Sequence, residues 1–600
     1  MIRKINLSSS VLLILITLST LQIIVIGSNE YRLVYTTHIY LLAIREGYGG
    51  VVLNTTLNIY YPGTGSVITK VENGKVAYDT ITSIKYAIIL ASMITGVNYK
   101  LYDYEFIFPP DTRLRGPSAT LEFFLAITTF YKNISYKGGV GATGVIAPNG
   151  LIGLVEGLNE KYKAGITYGL SKIIGPPTKN LTNATNYYQV IDIWNAYKIY
   201  TGRPLYEEHI SIDPKYYVIC RNIIEDTFRY SYTFFFNKTL ELITRLEDLG
   251  VKNYESSKGY KYLVLAEKYS DKKRWYTAST YAFRAYIEIH NLLVNSMFKK
   301  HKIDAFNYID KIGEQVHNRL QTLSVELSSS LRNITDLWDL DALINGFIRY
   351  YVALEAYSEG KLTGNPLEKA KLYILALART YTVEHWLMLL HNNSIYGRWF
   401  SSTEYSLANI ILRDYLLKSI DYLTILGIFS NKSREIIISR IPDTTGKPLE
   451  TFINYTITLY DLGFITQNLK PPIFSQFTDS SIIKTLNETM NSITYYLWSK
   501  THTLLPSSIT LNELIDGYIR ENESLEIIGI LYSSEFSALI PYLVLVHSAG
   551  LLNNPLSITV ITRTEYVTVN IPVNIYYVLI LFLLATGAFL IGYGMGKTRR

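Results

Sequence analysis

A serine at the start of an apolar helical segment is the first residue whose position could support catalysis. Ser118 follows Gly116-Pro117 and precedes the apolar run Leu121–Phe130, a pattern typical of a helix. The first turn of a helix carries backbone N–H groups without intrahelical partners at the positive end of its dipole. A hydroxyl placed there could act as a nucleophile beside an oxyanion hole. The alternative, from this segment alone, is that Ser118 only caps the helix.

A threonine and a lysine follow in a second segment. Thr143 lies in a strand-and-turn pattern, and Lys161 lies in a helical pattern between apolar Leu158 and Tyr162. A serine hydroxyl needs a base to take its proton, and an exposed lysine, with a pKa of about 10.4, is protonated at neutral pH. Burial disfavours the ammonium form, so a desolvated Lys161 could serve as that base. The alternatives are an exposed helical lysine and a threonine that only completes a strand.

Together these two segments resemble the proteolytic domain of the Lon family. Residues 116–120 correspond to the nucleophile motif G-P-S-A-G, 143–146 to T-G-E-I, 156–161 to G-G-x-x-x-K, and 168–176 to A-G-I-x-x-V-I-x-P. The sequence departs from these motifs at Thr120, Val145 and Glu156. The similarity covers roughly a quarter of the chain. The chain as a whole resembles archaeal membrane-bound Lon-like proteases.

The resemblance implies a Ser–Lys dyad. Ser118 would be the nucleophile, Lys161 the base, and Thr143 the residue that orients the lysine through its hydroxyl. Three further residues would support the nucleophile by shaping its turn: Gly116, Pro117 and Ala119. This chemistry needs no histidine, no metal and no cofactor.

The implied fold class is an α/β (α+β) Lon-type protease domain, followed by a large mainly α-helical domain and a C-terminal transmembrane helix. The protease domain spans 29–180, where strand patterns at 38–45 and 51–61 precede a helical pattern at 79–95. The helical region spans 181–554 and shows a weak similarity to tetratricopeptide-type hairpins without a strict repeat period. Substrate or partner binding and simple scaffolding both stay open for it.

The two ends predict a membrane protein that faces outward. Residues 1–28 have the basic start and short apolar run of a signal peptide or signal anchor. Residues 575–595 are apolar and long enough to span a bilayer, and the basic tail 596–600 favours the cytoplasmic side. The Thr-, Val- and Ile-rich stretch 555–574 between them predicts an extended stalk.

Charge and cysteine content exclude several classes of protein. Five of the 57 basic residues lie outside the stretch that holds all 50 acidic residues, so this stretch is nearly neutral and predicts no nucleic-acid partner. The single cysteine, Cys220, excludes an intrachain disulfide and a Cys-based zinc site. An outward-facing glycoprotein fits the Asn-x-Ser/Thr triplets at positions 54, 133, 180, 183, 237, 333, 392, 431, 454, 487 and 522.

These observations predict a membrane-anchored serine endopeptidase whose substrates are flexible or unfolded polypeptide segments. The sequence contains no G-x-x-x-x-G-K-[ST] motif, so proteolysis is expected to be independent of ATP. Two alternatives stay open: an inactive protease fold that serves as a surface scaffold or binding protein, and a protease that processes its own chain. Assembly into a homo-oligomer also stays open.

Overall fold

The computed structural model describes residues 31–552 and contains an α/β region followed by a helical region. The gaps within this range are 46, 48, 135–137, 182, 207–211, 335, 392–394, 396, 445, 466–479 and 522–524. The predicted signal segment, stalk, membrane helix and basic tail lie outside the described residues. The coarse prediction of an α/β region followed by a large helical part is confirmed.

The strands of the α/β region come from short segments rich in branched and aromatic residues. They are β1 Arg32–Arg45, β2 Gly49–Tyr61, β3 Val67–Lys70, β4 Lys75–Val76, β5 Asp103–Ile107, β6 Arg113–Leu114, β7 Val140–Ala142, β8 Val145–Ile146, β9 Ile152–Gly153, β10 Lys172–Gly175 and β11 Tyr187–Gln189. Among the described residues, seven of them form one sheet in the order β11-β10-β7-β1-β2-β5-β3.

The main sheet is mixed, and its parallel half positions the segment that contains Thr143. β1 pairs antiparallel with β2, which pairs antiparallel with β5. On the other side, β1, β7, β10 and β11 are all parallel, with Tyr40 opposite Gly141 and Ile174 opposite Ala142. Parallel strands bring their carboxyl ends to one edge of a sheet. Thr143, the residue after β7, therefore lies at this edge.

Helices cover both faces of the sheet. They are α1 Tyr78–Thr95, α2 Thr120–Tyr131, α3 Leu158–Tyr168 and α4 Ile193–Thr201. Alternate residues of β1, such as Ile39 and Leu41, are buried in the core that contains α1 and α2. The other face of β1 is buried at Leu42, in a smaller cluster with Leu158 of α3. The predicted helices over 79–95 and 121–130 are confirmed within one residue at each end.

The sheet continues beyond residue 180, where the sequence analysis ends the α/β domain. Strand β11 pairs with β10 through Ile173 opposite Tyr187, and α4 packs against β10 and α2. The Tyr- and Asn-rich stretch after residue 180 thus adds a strand and a helix to the α/β region before the helical region begins.

The remaining described residues form a helical region. Its helices are α5 Pro214–Asp248, α6 Lys258–Asp271, α7 Trp275–Lys300, α8 Lys302–Ser330, α9 Leu337–Leu362, α10 Pro366–Leu387, α11 Ser402–Ile425, α12 Asn431–Arg440, α13 Pro448–Ile465, α14 Ser480–Thr501, α15 Pro506–Arg520 and α16 Leu525–Leu552. Helix α7 packs closely against α5 and α6 through small residues, since Ala278, Ala282 and Ala285 are fully buried.

One helix among the described residues is long and apolar enough to cross a membrane by length and composition. It covers Ile527–Leu551 of α16, and most of it is buried inside the molecule, where α16 packs against α11 and α13. It is a different segment from the predicted membrane helix at 575–595, which is not among the described residues.

Candidate active site

The turn before α2 places Ser118 where a nucleophile could work. Gly116 adopts a φ of 99°, a left-handed conformation that favours glycine and turns the chain after β6. The Ser118 carbonyl accepts hydrogen bonds from Gly144 N at 2.8 Å and from Thr143 Oγ1 at 3.0 Å. Ala119, not Ser118, occupies the N-cap position, and no side chain caps the helix. The half-buried Ser118 therefore does not have the capping role that its motif alone suggests.

Two backbone amides at this helix start make no hydrogen bond within the described residues. Leu121 N donates to Gly144 O at 3.2 Å and Thr120 N donates to Pro117 O at 3.1 Å. The amides of Ser118 and Ala119 have no acceptor among the described residues. Free N–H groups at the positive end of a helix are suited to the oxyanion that forms during acyl transfer.

Lys161 lies in the first turn of α3 and is only 3% exposed. The helix can approach the sheet because Gly50 of β2 has no side chain: a Cβ there would overlap the carbonyl oxygen of Glu160. Burial lowers the pKa of the Lys161 amine to about 8, against the smaller, opposite influence of the Glu156 carboxylate. The alternative of an exposed helical lysine does not hold in this structure.

Thr143 connects the lysine to the serine. Lys161 Nζ lies 3.5 Å from Thr143 Oγ1, and the Thr143 hydroxyl donates to the Ser118 carbonyl. Because that hydroxyl has a single proton, it can only accept from the lysine. An amine that donates one proton to Thr143 has its direction fixed, and in the neutral form its lone pair stays free.

The structure brings together the backbone of Ser118, the Thr143 hydroxyl and the Lys161 amine. It does not join the two predicted catalytic side chains directly: within the described residues, Ser118 Oγ makes no hydrogen bond to Lys161 or to any other group. Gly116, Pro117 and Ala119 form the turn that presents Ser118 and its amide.

A buried glutamate binds the backbone of β7 next to Thr143. Glu122 of α2 is fully buried, accepts from Ala142 N at 2.7 Å and accepts from the Tyr200 hydroxyl at 3.0 Å. Burial raises the pKa of its carboxyl group to about 8. Glu122 thus fixes the end of β7, next to Thr143. Glu122 lies outside the motifs that single out Ser118, Thr143 and Lys161, although a lone acidic residue in an apolar helix is a visible signal.

The helical region also contacts the site, through Tyr422 of α11. Ile146 N donates to the Tyr422 hydroxyl at 3.2 Å, and this hydroxyl lies 3.1 Å from Thr120 Oγ1. Thr120 in turn donates to Pro117 O at 2.5 Å, so the Tyr422 hydroxyl must be the donor to Thr120. A chain of hydrogen bonds therefore runs from the helical region to the residue before Ser118. The sequence carries no signal of this contact.

Comparisons with known proteins return no match, either to models of protein families or to curated protein sequences. The evidence for the candidate site is therefore its geometry and the sequence motifs that contain Ser118, Thr143 and Lys161.

Proposed function

We propose that the protein is a serine endopeptidase that uses Ser118 as nucleophile and Lys161 as general base. The observation that carries this proposal is the burial of Lys161 beside Thr143, because a lysine is useful as a base only when its pKa approaches neutrality. The Lon-type motifs around these three residues support the same assignment.

The proposed reaction proceeds by acyl transfer. Neutral Lys161 takes the proton of Ser118 Oγ as this oxygen attacks the peptide carbonyl carbon. The oxyanion of the tetrahedral intermediate accepts hydrogen bonds from the amides of Ser118 and Ala119. The lysine then gives its proton to the departing amine, and the C–N bond breaks. Water, activated by the same lysine, hydrolyses the ester on Ser118 and restores the enzyme.

Cleavage of an unfolded, fluorescently labelled protein by the purified full-length chain, without ATP, tests this mechanism. We expect cleavage by the wild type and a loss of about 10³-fold or more in both Ser118→Ala and Lys161→Met. Lys163→Met is the matched control, since Lys163 is an exposed lysine on the same helix. Cleavage that survives Ser118→Ala would contradict the proposal.

A catalytically inactive scaffold is the second candidate. The observation that favours it is the lack of a direct hydrogen bond between Ser118 Oγ and Lys161 Nζ within the described residues. Catalytic hydrogen bonds are often long in enzymes without substrate, so this observation does not outweigh the buried lysine. Absence of cleavage by every form would favour the scaffold. A chain fragment that appears on expression and disappears in Ser118→Ala would instead indicate self-processing.

The proposal includes a membrane anchor at 575–595, with the α/β and helical regions outside the cytoplasm and polypeptides as substrates. Its support is the length and apolar character of this segment and the basic residues that follow it. Alkaline extraction of membranes tests the anchor. The full chain is expected to stay with the membranes, and a chain limited to residues 29–574 is expected in the soluble fraction.

A further inference from the structure

A cavity in the helical region has an unusual charge arrangement. It lies between α7, α9, α10, α13, α15 and α16 and has a volume of about 140 Å³, room for about five water molecules. Two arginines line it, Arg349 of α9 and Arg379 of α10. Aromatic and aliphatic side chains form the other walls, among them Tyr276, Trp386 and Ile348.

The guanidinium of Arg379 has no hydrogen-bonding or charged partner among the described residues. Its guanidinium lies 4.8 Å from the centre of the Phe283 ring, and its Nε is buried without a hydrogen bond. No hydrogen bond or ion pair joins the Arg379 guanidinium to any described residue. Burial and the neighbouring charge of Arg349 lower the pKa of Arg379 to about 10, so the group is still charged at neutral pH. Arg379 as a whole is half-buried and its Nε is fully buried, and a charged guanidinium so far removed from water is costly without an anion.

Arg349 is held in place but is not neutralised. Its NH1 donates to Asn345 O and Asn345 Oδ1, both at 2.9 Å, and its guanidinium lies 4.4 Å from the centre of the Trp386 ring. These contacts orient the guanidinium and leave its other nitrogen atoms free for a ligand. No carboxylate forms an ion pair with it in the part of the chain that the structure describes.

The acidic groups nearby compensate only one of the two positive charges. Ser507 Oγ lies 3.0 Å from Asp341 Oδ1 and 2.9 Å from Glu535 Oε1, and Glu535 lines the cavity. One hydroxyl proton cannot fully serve both contacts, and burial raises the pKa of both carboxyl groups. A proton held by one of the two carboxyl groups satisfies the second contact. This pair therefore carries one negative charge against two guanidinium groups, and one monoanion would balance the cavity.

We propose that this cavity binds a small organic carboxylate, with the carboxylate on Arg349 and Arg379 and an apolar body against the aromatic and aliphatic walls. Guanidinium groups match the planar geometry of a carboxylate with paired N–H donors. Phosphate, which has the same charge sign, would leave the apolar walls without a partner. The site is separate from the proposed Ser118–Lys161 dyad and does not depend on it.

Isothermal titration of the full-length chain in lipid nanodiscs with benzoate tests the proposal, with empty nanodiscs as the blank. We expect one benzoate per chain and at least tenfold weaker binding to Arg379→Met. Arg284→Met is the matched control, because Arg284 also lies over an aromatic ring, that of Tyr262 at 4.3 Å, and does not line the cavity. Its affinity for benzoate is expected to stay within about twofold of the wild type.

Two further ligands test the role of the arginines and the role of the apolar walls separately. Benzamide, which has the same shape without the charge, is expected not to bind; equal binding would overturn the assignment of the arginines. Inorganic phosphate is expected to bind more weakly than benzoate, and phosphate binding without benzoate binding would overturn the apolar part. Absence of binding by any anion would overturn the site itself.

Loss of folding cannot explain the expected result. Arg379→Met removes an unpaired buried charge, so its melting temperature is expected to equal or exceed that of the wild type. Arg379→Lys keeps the charge but loses the planar fork, and its affinity is expected to fall between those of the wild type and Arg379→Met. Benzoate affinity unchanged in both variants would contradict the proposal.

Discussion

The α/β region and the helical region both bury ionisable side chains, and they satisfy them in different ways. In the α/β region, the Lys161 amine makes one hydrogen bond to a side chain among the described residues, to Thr143 Oγ1 at 3.5 Å. In the helical region, the Asp341 carboxylate accepts hydrogen bonds from Ser507 N at 2.8 Å, from Ser507 Oγ at 3.0 Å and from the Tyr542 hydroxyl at 3.0 Å. Both groups are almost inaccessible to solvent.

The number of hydrogen-bond partners distinguishes buried charged groups that stabilise the fold from those that are candidates for function. A buried carboxylate with a full set of donors stabilises the fold that holds it, and removal of the carboxylate leaves donors unpaired. A buried amine with one partner costs stability, and its free lone pair can take a proton. By this criterion Lys161 and Arg379 belong together as candidates for function, and Asp341 belongs to the framework of the helical region.

The largest expected effect follows from Lys161→Met. Peptidase activity should fall by about 10³-fold or more, while the free energy of unfolding at pH 7 should rise by up to about 3 kcal/mol. The rise follows from a lysine pKa of about 8 in the folded state, against about 10.5 for an exposed lysine. Below pH 8 the folded state must hold a buried ammonium, and this penalty disappears as the pH rises towards 10.5.

Activity assays and thermal melting at pH 7 and pH 10 check this prediction. The gain in stability should be present at pH 7 and smaller at pH 10. Lys163→Met, on the exposed side of the same helix, should change neither quantity measurably. A Lys161→Met variant that melts below the wild type at pH 7 would show that buried Lys161 stabilises the fold, as Asp341 does, and would contradict the proposed difference between the two residues.

Asp341→Ala should have the opposite effect on stability. It leaves the Ser507 amide and the Tyr542 hydroxyl buried without their acceptor, which should cost about 3 kcal/mol or more. The measurement is the melting temperature of the full chain. Asp226→Ala is the control, since Asp226 forms only a surface ion pair with Arg229 and its loss should cost less than about 1 kcal/mol.

Tyr422→Phe removes hydrogen bonds between the two regions and should have a smaller effect on stability. The buried Ile146 amide would lose its acceptor and Thr120 would lose a donor, a cost of about 1–2 kcal/mol. Because Ile146 follows Thr143 closely in the chain, peptidase activity should fall a few-fold. Hydrogen exchange at Ile146 should speed up, whereas Tyr217→Phe, at an exposed tyrosine, should leave it unchanged. Unchanged exchange in Tyr422→Phe would show that the contact does not hold this turn.

The parts of the fold that the sequence predicted are those encoded by short-range patterns. Helix α1 has the spacing of apolar residues that one buried helical face requires, and the strands over 38–45 and 51–61 are long and rich in branched residues. Ser118, Thr143 and Lys161 were found because each lies in a short motif. Each of these patterns extends over a few residues, so it can be recognised without knowing which distant parts of the chain it contacts.

The features that the sequence did not predict depend on residues far apart in the chain. Tyr422 reaches a turn that lies 276 positions earlier, and Arg379 lines a cavity closed by helices from distant parts of the chain. Strand β11 was missed for a related reason: its three residues, Tyr187–Gln189, show no period, and it becomes a strand by pairing with β10. Tertiary contact decided these cases over local preference.

The smallest expected effect, a shift in the pH profile, tests the lysine most directly. If neutral Lys161 is the base, kcat/KM should rise with pH and reach half of its plateau near pH 8. The exposed Glu156 carboxylate raises the pKa of Lys161, so Glu156→Gln should move this midpoint to lower pH by a few tenths. In 0.5 M salt the two profiles should converge, because an exposed charge is screened.

Glu160→Gln, at a second exposed carboxylate on α3, should leave the midpoint unchanged. A midpoint that moves upward in Glu156→Gln would mean that another group than Lys161 limits the rate.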